Sequence, residues 1–152
     1  MIKEGMKAPD FKLQNQGGEA ISLKDYKGKN IVLYFYPKDN TSGCTKEACS
    51  FRDEFPKFNN LDAVILGVSP DSVASHKKFA AKYDLPFNLL SDEEKKVIKE
   101  YGVWKEKSMY GRKYMGVERT TVIIDENGRI KKIFPKVKVD GHNNEVFEAL
   151  KD

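Results

Sequence analysis

Cysteine is scarce in this chain of 152 residues, which carries only Cys44 and Cys49. One cysteine pair is too few for a disulfide scaffold, so the fold depends on a hydrophobic core, which a chain of this length can bury. No apolar run approaches the roughly 18 residues of a membrane-spanning helix, and the opening segment MIKEGMKAPD lacks the apolar stretch of a signal peptide. We therefore expect a single domain over residues 1–152 that is cytoplasmic and has no membrane partner.

Motifs for nucleotides and metals are missing as well. The sequence contains neither G-x-G-x-x-G nor G-x-x-x-x-G-K-[ST], which excludes the common nucleotide-binding loops. The two histidines, His76 and His142, are predicted on the polar face of a helix and in a loop, and their spacing from the cysteines matches no zinc pattern. We therefore expect no metal and no other cofactor.

Charge of one sign is only mildly in excess, with 27 basic against 23 acidic residues and a net charge of +4. Much of the excess lies late in the chain, at Lys105, Lys107, Arg112, Lys113, Arg129, Lys131, Lys132, Lys136 and Lys138. These residues form either a patch for an acidic partner or nucleic acid, or solvated positions that alternate with inward-facing apolar residues. We favour the solvated positions and expect no nucleic-acid partner.

Turn residues and apolar patterns predict the elements of the first half of the chain. Residues 8–26 are predicted to form a hairpin around a Gly-Gly turn. The continuous apolar run at 30–36 is typical of a strand that is buried on both faces. A helix then runs from about residue 44 toward 58, and Pro56 is expected to end or kink it early.

The second half of the chain alternates in the same way. Its predicted elements are a strand at 63–68, a helix that begins at Asp71 or Ser72, a strand at 87–90, a helix at 92–101 stopped by Gly102, a hairpin at 120–134 and a helix at about 144–150. Strand–helix alternation with right-handed crossovers gives a sheet with a parallel portion and helices on both faces. The order predicts an α/β protein with a thioredoxin-like fold, in which an N-terminal hairpin extends a central mixed sheet flanked by helices.

Both cysteines lie in the segment YFYPKDNTSGCTKEAC, residues 34–49, between a predicted strand and a predicted helix. In a reducing compartment such a pair is more often catalytic, redox-active or metal-binding than structural. Cys44 stands at the start of the helix, where unsatisfied backbone N–H groups and the helix dipole favour thiolate over thiol. Because an ordinary thiol is only about 3% ionised at pH 7, this placement predicts a reactive cysteine with a second sulfur within reach.

The spacing of the cysteines constrains how they can react with each other. On one regular helix, five residues give about 7.5 Å of rise and a rotation of about 140°, so the two Cα atoms lie roughly 8.6 Å apart. Disulfides rarely span more than about 7 Å between Cα atoms. The two sulfurs are therefore either never joined, or the helix unwinds locally to join them.

The residues around Cys44 resemble those of the peroxiredoxins. The segment PKDNTSGC, residues 37–44, matches their P-x-x-x-T-x-x-C signature, and the segment GCTKEAC, which ends at Cys49, is similar to the branch called PrxQ or bacterioferritin comigratory protein. The resemblance covers nearly the whole chain, including the segment GVERTTVIID around Arg119. Ser42 is a departure, because this branch commonly carries proline there, but the change removes no reactive group.

The resemblance implies a role for each residue of this segment. Cys44 is implied to be the peroxidatic nucleophile, which attacks a peroxide oxygen and becomes a sulfenic acid. Thr41 is implied to hydrogen-bond the peroxide or the thiolate, and we expect it also to cap the helix. Pro37 would shield the thiolate, and Arg119 would stabilise it and polarise the O–O bond. Backbone N–H groups near Gly43 would complete the substrate pocket.

Cys49 is implied to be the resolving cysteine. It would condense with the sulfenic acid to form an intramolecular disulfide, which a thioredoxin-like reductant then reduces. The implied activity is a thiol peroxidase that reduces hydrogen peroxide and organic hydroperoxides in antioxidant defence and redox homeostasis. Because both cysteines lie in one chain segment, catalysis needs no partner subunit, and we expect a monomer.

Several of these residues can also be interpreted in a second way. Cys49 is also compatible with inert helix packing, and Glu47 either supports Arg119 or stabilises the helix dipole. Trp104 and Tyr110 either line the mouth of the pocket or pack in the core. Two other activities fit the cysteines less well, since a thioredoxin-like disulfide exchanger uses C-x-x-C and a copper-binding thioredoxin-fold chaperone needs C-x-x-x-C.

Overall fold

The structure is a computed structural model that describes residues 2–152. Its elements, in chain order, are β1 (Lys12–Gln14), β2 (Ala20–Ser22), a 3-10 helix (Leu23–Tyr26), β3 (Asn30–Phe35), α1 (Ser42–Asp53), α2 (Phe55–Asn60), β4 (Ala63–Ser69), α3 (Val73–Tyr83), β5 (Asn88–Ser91), α4 (Lys96–Glu100), β6 (Trp104–Met109), β7 (Arg112–Val117), β8 (Thr120–Ile124), β9 (Ile130–Phe134) and α5 (His142–Lys151). None of the helices between residues 2 and 152 is long and apolar enough to cross a membrane.

A mixed sheet of seven strands, counted over the described range, has the order β2-β1-β5-β4-β3-β8-β9. β3 and β5 both pair parallel with β4, whereas β8 pairs antiparallel with β3. The antiparallel pair β1 and β2 confirms the predicted N-terminal hairpin. β6 and β7 form a separate antiparallel hairpin in residues 103–119, to which the sequence patterns assigned no element. The central mixed sheet flanked by helices confirms the predicted thioredoxin-like arrangement.

The central strand β3 is apolar and buried from Ile31 to Phe35, as suits a strand whose two faces are covered by helices. Leu33 and Phe35 enter one core, which they share with α4 and the 3-10 helix. Val32 and Tyr34 enter the opposite core, which they share with α1, α2, α3 and α5. The burial continues through Tyr36, the first residue after β3, so the loop that follows starts inside the core.

The helix predicted between residues 44 and 58 is divided into α1 and α2, with Glu54 between them. Pro56 lies in the first turn of α2, where its missing N–H leaves no intrahelical hydrogen bond unmade. α1 begins at Ser42, two residues earlier than predicted, so Cys44 is its third residue. Ser42 occupies the first helical position, which proline favours. The helix therefore starts at the position where this branch commonly carries proline.

Both histidine predictions are wrong. His76 is 0% exposed, because it lies one turn before Phe79 on the inward face of α3. His142 is not in a loop but is the first residue of α5, and it is also buried. Its ring packs edge-on against Phe51 and Phe134. Hydrogen bonds to neighbouring groups, rather than water, satisfy the polar atoms of both rings.

The helix predicted at 92–101 begins only at Lys96. Lys95 adopts a φ of 61°, which interrupts the helical backbone before that point. Asp92 lies outside the helix, and its carboxylate accepts a hydrogen bond from the backbone of α4. Gly102, with a φ of 74°, follows the end of the helix as predicted.

Candidate active site

The site forms where β3 ends and α1 begins. The register between β3 and β8 sets Phe35 opposite Thr120, so Arg119, which directly precedes β8, lies beside the end of β3. Cys44 is in the first turn of α1, which starts from the same end of β3. The fold thus brings together two residues that are 75 positions apart in the sequence.

Cys44 and Arg119 are in direct contact. Arg119 Nη2 donates a hydrogen bond to Cys44 Sγ at 3.2 Å, and Cys44 is 2% exposed. A guanidinium stays charged at every relevant pH, so a positive charge lies directly against the Cys44 sulfur. The free N–H groups at the start of α1 and the positive end of the helix dipole face the same region.

Gly43 permits the close approach of the arginine. A Cβ atom at residue 43 would lie 3.2 Å from Arg119 Nη2, which is tighter than ordinary van der Waals contact. A side chain at this position would require the guanidinium to shift by a few tenths of an ångström. Glycine is the residue that allows the backbone of α1 and the guanidinium to lie side by side.

Glu47 holds Arg119 from the same helix. Arg119 Nη1 donates to Glu47 Oε1 at 2.7 Å, so separate nitrogens of one guanidinium bind the carboxylate and the sulfur. Glu47 is 1% exposed, and this burial raises the pKa of its carboxyl to about 7, although Arg119 opposes the change. Burial lowers the pKa of Arg119, but Glu47 and Cys44 outweigh that effect and leave the pKa raised. The contacts favour support of Arg119 over dipole stabilisation as the role of Glu47.

Two buried polar atoms near Arg119 have no hydrogen-bond partner among residues 2–152, the Oε2 atom of Glu47 and the hydroxyl of Tyr34. The Tyr34 ring packs against Phe51, and a Cβ at Gly67 would collide with it at 2.8 Å. Burial raises the pKa of Tyr34 well above its usual value, and the charge of Glu47 raises it further. The tyrosine therefore stays neutral, and Glu47 is the carboxyl group that contacts Arg119.

Pro37 and Thr41 lie in the loop between β3 and α1. Thr41 is at the N-cap position of α1, but its hydroxyl donates to the carbonyl of Lys38 at 2.9 Å, so the expected side-chain cap is wrong. Its own carbonyl accepts the first helical hydrogen bond, from the N–H of Thr45 at 2.8 Å. A hydroxyl that donates once keeps two lone pairs for accepting, and Thr41 is exposed while Pro37 is half-buried.

Asp39 anchors this loop, and the sequence patterns gave no sign of it. Its buried carboxylate accepts hydrogen bonds from the Tyr36 hydroxyl at 2.6 Å and from Ser75 Oγ at 2.7 Å. The same carboxylate lies 2.7 Å from His76 Nδ1. The backbone N–H of Asp39 donates to Asp71 Oδ2 at 2.7 Å. Both the side chain and the backbone of Asp39 therefore tie the loop to α3 and to the residues just before it.

His76 completes this network on its other side. Its Nε2 lies 3.0 Å from the carbonyl oxygen of Leu90, which can only accept, so Nε2 carries a hydrogen. Its Nδ1 faces the Asp39 carboxylate on the other side of the ring. Asp39, Asp71 and His76 are also the one group of three potential metal ligands found between residues 2 and 152. Their ligand atoms already take part in hydrogen bonds, so we assign no metal to them.

Three further candidate residues are Cys49, Trp104 and Tyr110. Cys49 is half-buried on α1, and neither cysteine is in a disulfide in the described part of the chain. Trp104 is half-buried and packs against the core, which agrees with the interpretation of Trp104 as a packing residue. Tyr110 is 99% exposed at the turn between β6 and β7, so it does not pack in the core.

Comparison with known proteins identifies the class to which this fold and site belong. The model of the AhpC/TSA family matches residues 5–133, and the chain belongs to that family. Peroxiredoxin Bcp of Bacillus subtilis is 55% identical over 151 residues, which cover 99% of this chain and 96% of that protein. A cysteine-to-serine mutant of Xylella fastidiosa PrxQ has a TM-score of 0.94 at 39% identity, covering 99% of this chain and 96% of that one.

A third relative connects the class with a reaction. The bacterioferritin comigratory protein of Xanthomonas campestris, with a TM-score of 0.88 and 42% identity over 93% of this chain and 90% of that one, was solved in trapped intermediate and ligand complexes to study its alkyl peroxide reduction. The chain is a peroxiredoxin of the PrxQ or Bcp branch, as its signature implies. It is a thiol peroxidase, an oxidoreductase that reduces peroxides.

Proposed function

We propose that Cys44 is the peroxidatic cysteine of this thiol peroxidase and that Arg119 stabilises its thiolate. The observation that carries the proposal is the 3.2 Å hydrogen bond from Arg119 Nη2 to the buried Cys44 Sγ in the first turn of α1. A positive side chain, the N–H groups of the first helical turn and the helix dipole all favour the same charged form of one sulfur.

In the proposed reaction, the Cys44 thiolate attacks one oxygen of the peroxide. An S–O bond forms as the O–O bond breaks, and the departing alkoxide or hydroxide takes a proton to become an alcohol or water. The sulfur is oxidised to a sulfenic acid while the peroxide is reduced. Arg119 stabilises the negative charge as it moves from sulfur to the leaving oxygen, and Glu47 fixes the guanidinium in place for this role.

We assign peroxide binding to the residues that surround Cys44 in the chain. The N–H groups of Gly43 and Cys44 belong to the first turn of α1, where helical geometry provides no acceptor, so they remain available to the developing charge. The Thr41 hydroxyl keeps free lone pairs and accepts a hydrogen bond from the peroxide. Pro37 shields the thiolate from water, and the Asp39 network holds the loop that carries Pro37 and Thr41.

We propose Cys49 as the resolving cysteine. Its thiolate attacks the sulfur of the Cys44 sulfenic acid, an S–S bond forms, and hydroxide leaves and takes a proton to become water. Because both cysteines lie on helical α1, their Cα atoms are roughly 8.6 Å apart, beyond the disulfide limit of about 7 Å. The helix must therefore unwind locally before the bond can close.

The remaining steps follow from this assignment. A thioredoxin-like protein supplies two electrons by thiol–disulfide exchange and returns both cysteines to thiols. Because one helix supplies both sulfurs, the proposed working unit is a monomer and a single domain over residues 1–152. Two free cysteines that must be reduced in every catalytic cycle fit a reducing, cytoplasmic compartment.

The proposal is tested by trapping the intermediate in the variant Cys49→Ser. One equivalent of hydrogen peroxide should convert Cys44 to a sulfenic acid that persists, and dimedone should label Cys44 in a peptide map. In the wild-type protein, the same treatment should give a Cys44–Cys49 disulfide and little label. Absence of label on Cys44 in the variant, or a label on another residue, would overturn the assignment.

A further inference from the structure

The hairpin of β6 and β7 exposes an unusual amount of apolar surface. All large hydrophobic side chains that are exposed within the described range belong to it, namely Met109, Tyr110, Tyr114 and Met115, which are 55%, 99%, 42% and 49% exposed. The strand pairing sets Met109 and Tyr114 on one face of the hairpin, with Tyr110 at its tip, whereas Met115 lies on the other face. Scattered apolar residues on a surface need no explanation, but a cluster such as Met109, Tyr110 and Tyr114 marks an interaction site. Neither the peroxide reaction nor the folding of the sheet uses these side chains.

The turn of this hairpin is unusual as well. Tyr110 and Gly111 are its two central residues and have φ angles of 52° and 78°, which define a type I′ turn. Such turns favour Asn-Gly, because a bulky residue with positive φ is strained. The chain therefore places a fully exposed aromatic ring where asparagine would fold more easily, and strain of this kind accompanies functional positions.

The charges around this apolar surface have one predominant sign. The hairpin carries four basic side chains, Lys105, Lys107, Arg112 and Lys113, against the single carboxylate of Glu106. Tyrosine, methionine and arginine are the residue types that are enriched in protein interfaces, and the rims of interfaces are polar. The surface is therefore complementary to a protein that presents an apolar patch bordered by carboxylates.

The hairpin is also joined to the active site. β7 ends two residues before Arg119, and Lys107 of β6 lies close enough to Arg119 and Cys44 for both to act on it electrostatically. Arg112 at the outer end of β7 is seven residues from Arg119, a span of at most about 23 Å along an extended strand. A compact domain of about 100 residues has a radius of gyration of about 13 Å, so one bound domain reaches from the hairpin tip to Cys44.

We propose that the β6–β7 hairpin is the docking surface for the protein reductant, an acidic protein that carries an accessible dithiol. This inference rests on the proposed Cys44–Cys49 disulfide. One thiolate of the docked partner attacks that disulfide to form a mixed disulfide, and the partner's second thiol then displaces the reduced protein. The partner is oxidised by two electrons, and both cysteines of this chain return to thiols.

The test separates docking from chemistry with the variant Tyr110→Asn, which removes the ring but supplies the residue that the turn prefers. We expect the variant to be at least as stable as wild type and to reduce peroxide in a first turnover at the wild-type rate. The kcat/KM for a purified bacterial thioredoxin should fall about tenfold, because aromatic anchors dominate interfaces. Reduction of the disulfide by dithiothreitol, which needs no docking surface, should be unchanged.

The electrostatic part of the inference has its own variant. Arg112→Glu with Lys113→Glu should lower the kcat/KM for thioredoxin and weaken its dependence on salt, because steering by opposite charges is screened by ions. The matched control is Lys77→Glu with Lys78→Glu, two exposed lysines of α3, which should leave that value within about twofold of wild type.

Three results would overturn the inference. The first is an unchanged kcat/KM for thioredoxin in Tyr110→Asn, and the second is an equal loss with dithiothreitol, which would mean a local effect on the disulfide. The third is a hairpin variant that no longer binds vesicles of anionic phospholipid, as wild type would, but keeps wild-type kinetics with thioredoxin. That result would make the hairpin a lipid contact. Failure of the first peroxide turnover in wild type would instead contradict the proposed function itself.

Discussion

At the scale of single residues, Arg119 contacts both Cys44 and Glu47, and its removal affects both. Arg119→Ala should slow the reaction of Cys44 with peroxide about ten- to hundredfold, because a hydrogen bond to a charged group contributes about 1.5–3 kcal/mol. Arg119→Lys should restore only part of the rate, since lysine keeps the charge but loses the planar set of donors that reaches Cys44 and Glu47 together.

Single-turnover stopped-flow mixing with hydrogen peroxide measures this effect. The control is Arg129→Ala, which removes an arginine that donates to the carbonyl of Gly5 outside the site. An Arg119→Ala protein that reacts at the wild-type rate would mean that the guanidinium takes no part in stabilising the thiolate or the leaving oxygen.

Glu47 gives the protein a pH dependence whose sign follows from its burial. The folded carboxyl has a pKa of about 7 against an ordinary value of 4.5. Between these values the folded chain binds more protons than the unfolded chain, so the free energy of unfolding falls as pH rises. The fall reaches up to about 3 kcal/mol by pH 7, and Glu47→Gln, which cannot titrate, should lack it.

Urea unfolding of both proteins between pH 4.5 and 8 tests this prediction. The difference in stability, wild type minus Glu47→Gln, should decrease through the window, and Glu148→Gln on the exposed face of α5 should follow the wild-type curve. Parallel curves for wild type and Glu47→Gln would show that the Glu47 carboxyl does not titrate in this range.

At the scale of elements, α1 has to be stable in one redox state and locally unfolded in the other. In the reduced protein, Phe51 holds α1 through ring contacts with Tyr34, Phe58 and His142 at 5.1, 5.8 and 6.2 Å. Closing the disulfide should melt at least the first turn after Cys44 and release part of this packing. Amide hydrogen exchange should then be faster over residues 44–55 in the oxidised protein than in the reduced one.

α3 provides the internal reference for this experiment, because its amides should exchange equally in both states. Equal protection over residues 44–55 in the two states, with the Cys44–Cys49 bond confirmed by mass, would refute the unwinding step and leave the peroxidase activity unaffected.

The loop between β3 and α1 should depend on its anchor at Asp39. Asp39→Asn replaces an acceptor-only carboxylate by an amide whose N–H₂ group must face Tyr36, Ser75 or His76 as a second donor. Breaking such a buried pair costs about 3 kcal/mol. We therefore expect that loss of stability together with a slower peroxide reaction, because the loop carries Thr41.

Thermal unfolding and stopped-flow rates measure the two effects together. The matched control is Asp62→Asn, which alters an exposed pair with Lys29 at 3.7 Å and should cost less than about 1 kcal/mol. An Asp39→Asn protein with wild-type stability and rate would show that the network does not hold the loop.

The elements also show how far the sequence alone carries a prediction. β3 and α1 are predictable because a continuous apolar run and a helical pattern stand next to each other. His76 was misplaced because a polar residue was assigned to the polar face, although its spacing from Phe79 and Ala80 sets it inward. The β6–β7 hairpin was missed because its strands are largely exposed and lack apolar alternation, and because Tyr110-Gly111 is not a usual turn signal.

At the scale of the whole molecule, the site depends on sheet topology more than on any local sequence. Cys44 and Arg119 meet because β8 returns antiparallel beside β3, and no pattern within either segment predicts that pairing. Only the resemblance to a family singled out Arg119 in the sequence. The residues that hold it, Gly43 and Glu47, became interpretable once the distances to its nitrogens were known.

The reaction of the reduced protein with hydrogen peroxide tests the central claim most directly. Stopped-flow mixing at pH 7, followed through the fluorescence of Trp104, should show wild type reacting orders of magnitude faster than free cysteine, with one peroxide consumed per chain in the first turnover. Cys44→Ser should not react and should show no turnover with any thiol reductant. A wild-type rate equal to that of free cysteine, or substantial peroxide consumption by Cys44→Ser, would contradict the assignment of Cys44 as the peroxidatic residue.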